Sequence, residues 1–120
     1  MRSRKSTGLD NAISRLVTDL NDRLVIVEGK RDVAALGKVG VRAHVLTLDK
    51  LQHMERITAD EAVILTDFDR AGEAKLMKAE SILIGKGIRI DTGLRERFRR
   101  IFGITTIEDL PRAFEKLAHQ

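Results

Sequence analysis

Four short apolar runs, each separated from the next by a stretch of helix length, constrain this chain more than anything else in it. "LVIVEG" (24–29), "AHVLTL" (43–48) and "AVILT" (62–66) are continuous and rich in β-branched residues, and "IRID" (88–91) is a weaker fourth. Runs of this kind suit strands buried on both faces, as in a parallel sheet. Between them, "KRDVAALGKVG" reads as a helix ended by Gly37 or Gly40, residues 49–59 as a short helix, and 70–84 as a long helix closed by Gly85 and Gly87. Strand and helix alternating at this spacing imply right-handed βαβ units on a central parallel sheet of about four strands, an α/β three-layer Rossmann-like domain. At 120 residues the chain is read as a single domain, 1–120.

Helical segments flank that core. Leu9, Ile13, Leu16, Val17 and Leu20 form a stripe at helical spacing over 9–22. After Gly93 the pattern is wholly helical, with Leu94, Phe98, Ile101 and Phe102 on one face, giving a helical C-terminal extension over 94–119. "TTIE" (105–108) has capping-box spacing, and Pro111 belongs in or near a first turn, so this region reads as two short helices.

Composition excludes several functions. With 42% hydrophobic and 33% charged residues the chain is an ordinary globular one, and no apolar run reaches membrane-spanning length. The basic opening "MRSRKSTGLD" lacks the apolar stretch of a signal peptide, so the expected location is cytoplasmic. Cysteine is absent, which removes disulfides, thiolate metal sites and a cysteine nucleophile; His44, His53 and His119 are scattered without metal spacing. A net charge of +4 tilts toward a polyanionic partner, although four Phe as the only aromatics make no rich stacking platform.

The chemistry concentrates at strand ends, where open parallel sheets place their sites. The first run ends in Glu28; the third ends in "TDFD", with Asp67 at the tip and Asp69 two residues on. Residues two apart in extended chain point the same way, so Asp67 and Asp69 can converge, and Glu28 joins them if the first and third strands are neighbours. Simpler readings stand beside this one: Asp69 as an N-cap, Asp67 as an Asx-turn residue, Glu28 paired with Lys30 or Arg31. Clustered carboxylates are the hard oxygen ligands that magnesium takes, and the cation would remove their repulsion. Gly29 and Gly72 allow close approach of backbone to a ligand, and Lys30 and Arg70, at helix starts, suit a nearby phosphate or carboxylate. The arginines of "LRERFRRIF", namely Arg95, Arg97, Arg99 and Arg100, read as a diffuse surface around the apolar face.

A strand ending in "VEGKRD", followed about forty residues later by one ending in "TDFDRAGE", resembles the glutamate and Asp-x-Asp motifs of the Toprim domain, over roughly residues 20–103. The overall likeness is to small stand-alone archaeal Toprim proteins. The resemblance implies one or two Mg2+ ions at Glu28, Asp67 and Asp69, with Glu28 as a general acid or base. It implies a nucleic-acid partner, RNA or DNA, and a small magnesium-dependent nuclease. The alternative is a metal-binding module that binds nucleic acid and acts only with a protein partner. Type IA topoisomerases carry a further acid where this chain has Ala71, and topoisomerases hold the cut strand on a tyrosine; this chain has no tyrosine, so a self-sufficient topoisomerase is excluded.

Overall fold

The computed structural model describes residues 4–118. His119 and the last residues of the C-terminal extension lie outside that range, as do residues 1–3. The strands are β1 (Leu24–Val27), β2 (His44–Thr47), β3 (Glu61–Ile64) and β4 (Arg89–Ile90). All pair in parallel, in the order β2-β1-β3-β4. β1 and β3 are therefore neighbours, in the register Leu24 to Ala62 through Ile26 to Ile64. Beyond the end of β3 the chain stays extended, and Leu65 N–H still donates to Ile26 O at 2.7 Å.

The helices are α1 (Arg4–Asn21), α2 (Lys30–Lys38), α3 (Leu48–His53), α4 (Arg70–Gly85), α5 (Thr92–Phe102) and α6 (Leu110–Ala118). The sheet alternates its side chains between two cores. Val25, Val27, Val63 and Leu65 face α1, α2, α5 and α6, against Ile13, Leu16, Leu20, Leu36, Phe98 and Phe102. Leu24, Ile26, Ala62 and Ile64 face α3 and α4, against Leu51, Ala79 and Leu83. A strand buried on both faces has no polar side to write into its sequence, which is why these runs are continuous.

Three elements differ from expectation. The helix expected over 49–59 ends at His53: Met54 turns to extended backbone, Met54 and Ile57 pack onto the second core, and Lys86 Nζ caps the freed carbonyls of Met54 (2.8 Å) and Glu55 (3.2 Å). At "TTIE" no capping box forms; a 3-10 turn over Ile107–Asp109 precedes α6, with Thr106 Oγ1 donating to Asp109 Oδ2 at 3.0 Å. Pro111 is then the second residue of α6, where its missing N–H costs nothing. The largest correction concerns Arg95, which is not on the surface but only 9% exposed. Arg97, by contrast, ties α5 to α1 through Asp19 at 2.7 Å.

Candidate metal and nucleic-acid site

The site lies past the carboxyl ends of β1 and β3. Glu28 is the first residue after β1, and its Oε2 accepts the N–H of Asp67 at 2.7 Å. Its Oε1 takes the ammonium of Lys75, also at 2.7 Å, from the second turn of α4. Asp67 in turn accepts the N–H of Ile107 on Oδ1 at 2.9 Å, which ties the C-terminal segment to the strand tip. Asp69 is the N-cap of α4, its Oδ1 accepting Gly72 N–H at 2.7 Å. The capping reading of Asp69 thus holds, and it occupies one oxygen only: Oδ2 of Asp67 and Oδ2 of Asp69 have no hydrogen bond to any described residue.

These groups lie close enough to act on one another's charge. Burial pushes the Asp67 carboxyl above the usual range, and repulsion from Glu28 and Asp69 adds to it, against the Ile107 N–H and Lys75. The hydrogen bond to Glu28 holds the Lys75 ammonium above the usual lysine range, with the charges of Glu28, Asp67 and Asp69 acting the same way. A fourth acid lies beneath. Asp32, 5% exposed, accepts the N–H of Gly29 at 3.1 Å. Burial raises it, and Asp67, Glu28 and Glu108 add repulsion.

Two features fix the loop that carries the Asp-x-Asp pair. Gly72 is buried, and a Cβ there would stand 1.8 Å from the Asp67 carbonyl oxygen, so α4 reaches this close only because residue 72 has no side chain. Thr66 Oγ1 locks the approach by donating to Gly72 O at 2.8 Å. From the other face, Arg95 Nη1 donates to Ile64 O (3.0 Å) and Thr66 O (2.8 Å), and Nη2 to Asp67 O (3.4 Å) and Glu73 (3.2 Å). Its guanidinium lies 4.4 Å from the centre of the Phe68 ring. Carbonyls at the last residue of a parallel strand and beyond it run out of ladder partners, and this one fork satisfies three of them.

Of the residues singled out from sequence, Glu28 and Asp67 are joined by a hydrogen bond at the tips of β1 and β3, and Asp69 caps α4 two residues further on. Lys30 and Arg70 open α2 and α4, are exposed, and make no ion pair with a described residue. Gly29 is extended with open space around its Cα, whereas Gly72 is filled by the chain's own backbone. Glu28 is paired with neither Lys30 nor Arg31. Sequence reasoning missed Lys75, Asp32 and Arg95. Lys75 lies one turn after Gly72 on the same face, and Arg95 stands three and seven residues before Phe98 and Phe102; both spacings are legible once the charge is set aside.

Among the described residues no three His, Cys, Asp or Glu side chains stand as a ready-made metal cluster. The donor chemistry nevertheless fits a hard divalent cation: three carboxylates at adjacent strand tips, two with a spare oxygen, and the Lys75 ammonium already occupying the cationic position beside Glu28.

The model of the Toprim domain matches residues 22–92. The chain belongs to the Toprim family. UPF0292 protein PH1700 from Pyrococcus horikoshii is 42% identical over 92 residues, covering 72% of this chain and 70% of that one. UPF0292 protein MJ1624 from Methanocaldococcus jannaschii is 34% identical over 112 residues, covering 82% and 83%. A solved structure, a putative protein from Aquifex aeolicus, superposes with a TM-score of 0.66 at 24% identity over 81% of this chain and 96% of that one, a likeness of fold. Toprim membership links the chain to metal-dependent, nucleic-acid-related function. Among the described residues no helix is long and apolar enough to cross a membrane.

Proposed function

We propose that this Toprim protein is a small, cytoplasmic, magnesium-dependent nuclease acting on RNA or DNA. The observation that carries the reading is the contact of Glu28 with the Asp67 N–H between the ends of neighbouring strands, with Asp69 two residues on and the Lys75 ammonium beside Glu28. Glu28, Asp67 and Asp69 would hold one or two Mg2+ ions. Bound magnesium supplies charge neutralisation at the phosphodiester and acidifies a water molecule. Glu28 serves as general base or acid: a water oxygen bonds to phosphorus as the P–O ester bond breaks, and the carboxylate takes the proton from the water or returns it to the leaving oxygen. Lys30 and Arg70, exposed at the first turns of α2 and α4, contact flanking phosphates, and the open space at Gly29 lets the strand approach. Gly72 contributes through the placement of Asp67 and Asp69.

The test is cleavage of labelled RNA and DNA by the purified chain with magnesium, alongside Asp67→Asn. We expect cleavage to fall by about 10²-fold or more, as when one electrostatic element of a site is removed, while binding without metal holds or tightens. Lost binding with normal turnover per bound substrate would refute the assignment. One observation favours the second reading, a metal-binding nucleic-acid module that works with a partner protein: Met77 (68% exposed) and Ile84 (66%) lie on one face of α4, a surface a partner would cover. Under that reading the chain alone binds nucleic acid and does not cut it.

A further inference from the structure

We propose that a groove between the end of α5 and α6 is the track for a single-stranded nucleic acid leading into the carboxylate site. The inference rests on the phosphodiester reading of that site. The helix α5 stops at Gly103, whose left-handed backbone (φ 61°) reverses the chain and opens a hollow against α6. This hollow, about 440 Å³, is lined by Phe102, Ile104, Ala113 and Leu117 together with Asp109, Arg112 and Lys116. A second hollow of about 350 Å³ shares Gly103, Ile104 and Thr105 with the first and is otherwise lined by Phe68, Glu96, Arg99 and Arg100. Phe68 is the residue between the two aspartates.

The shared wall is also part of the carboxylate site. Thr105 O accepts Phe68 N–H at 2.7 Å, and Ile107 N–H donates to Asp67 at 2.9 Å. A strand lying in the two hollows therefore passes beside Asp67 and Asp69. Behind the groove the rings of Phe68, Phe98, Phe102 and Phe114 follow one another with centroids 6.2, 5.0 and 6.5 Å apart. Of these rings only Phe68 and Phe102 line the hollows; Phe98 is fully buried and Phe102 only 8% exposed, so the row of rings is the core on which the groove rests. Arg99 and Arg112 are partly answered by Glu96 (3.4 Å) and Asp109 (3.7 Å), whereas Arg100 and Lys116 have no ion pair with a described residue. Arginine and lysine side chains set along a recess are what tracks the phosphates of a single strand. A duplex hides its base faces and is read by elements that protrude into its grooves, so recessed hollows do not suit it.

The test is fluorescence anisotropy of a labelled single-stranded oligonucleotide in EDTA across a salt series. The double variant Arg100→Ala/Lys116→Ala is compared with Arg56→Ala/Arg89→Ala, which removes equal charge elsewhere. Losing two phosphate contacts should weaken binding roughly ten- to thirtyfold at about 0.1 M salt and flatten the slope of log K against log salt by about 1.4. Ala113→Phe, which fills the groove and changes no charge, should weaken binding without altering the slope as strongly; its fold is checked by circular dichroism. Equal losses in the two double variants, unimpaired binding by folded Ala113→Phe, or duplex bound as tightly as single strand would overturn the proposal. Groove variants that bind normally while Asp67→Asn abolishes cleavage refute the groove alone. An unmodified chain that never cuts, with groove variants that lose binding, refutes the nuclease reading alone.

Discussion

Replacing Gly72 with alanine tests whether the close seat of α4 on the strand tip organises the site. Alanine is ordinarily the better helix residue, by about 1 kcal/mol. Here the new Cβ would stand 1.8 Å from Asp67 O and 2.5 Å from Asp67 C, so reaching even 3.0 Å demands a retreat of 3.0 − 1.8 = 1.2 Å between two stretches of backbone. Such overpacking costs about 1–3 kcal/mol or more. The retreat also strains the Thr66 hydrogen bond to Gly72 O and the Asp69 cap, each worth about 1 kcal/mol. Net of the propensity gain, the variant should be about 2–4 kcal/mol less stable, a fall in Tm of roughly 8–15 °C for a domain of this size. Gly37→Ala is the control: it lies in α2 with nothing within 4 Å of a Cβ and should gain about 0.5–1 kcal/mol. Thermal melts of both variants decide the matter. A Gly72→Ala protein as stable as the unmodified chain would show that the helix is not pinned there, and the account of how Asp67 and Asp69 are held would fall with it.

Magnesium at ten times Kd should stabilise the unmodified protein by about 1.4 kcal/mol, or very roughly 3–6 °C in a melt; Asp67→Asn should lose most of that shift while remaining at least as stable without metal, and a melt indifferent to magnesium would count against the site. Lys75→Ala should cost only about 0–1 kcal/mol, because the pair is half exposed, yet tighten magnesium binding by calorimetry, since Glu28 loses its internal counter-cation; weaker binding would refute that role. Asp32 has a folded-state pKa above its unfolded value, so the native state binds more protons and its ionisation lowers stability as pH rises through the raised pKa. Asp32→Asn, which keeps an acceptor for Gly29 N–H, should therefore melt at or above the unmodified protein at pH 7, and that advantage should fade as pH falls toward the ordinary carboxyl range; an advantage that grows on acidification would contradict the sign. Arg95→Met should cost about 3 kcal/mol or more by stranding the carbonyls of Ile64 and Thr66, whereas Arg97→Ala should change stability by no more than about 1 kcal/mol.

The sequence by itself determined the layered α/β fold and the placing of acids at the ends of β1 and β3, because both are written in local patterns. A strand buried on both faces must be a continuous apolar run, and "LVIV" and "AVIL" are such runs; an acid at the end of each then falls at the same edge of a parallel sheet. Tertiary structure alone decided what compensates those acids. Lys75 reaches Glu28 across 47 positions, Ile107 N–H reaches Asp67 across 40, and Arg95 gathers carbonyls 29 and 31 positions away. The helical face of Lys75 and of Arg95 can be read locally, but none of these contacts can, since each depends on how helices from later in the chain lie over strands formed earlier. Arg95 shows the reason most plainly. Its helical position beside Phe98 and Phe102 places it on the buried face, its charge argues for the surface, and only the unpaired carbonyls at the end of β3 settle the contest in favour of burial.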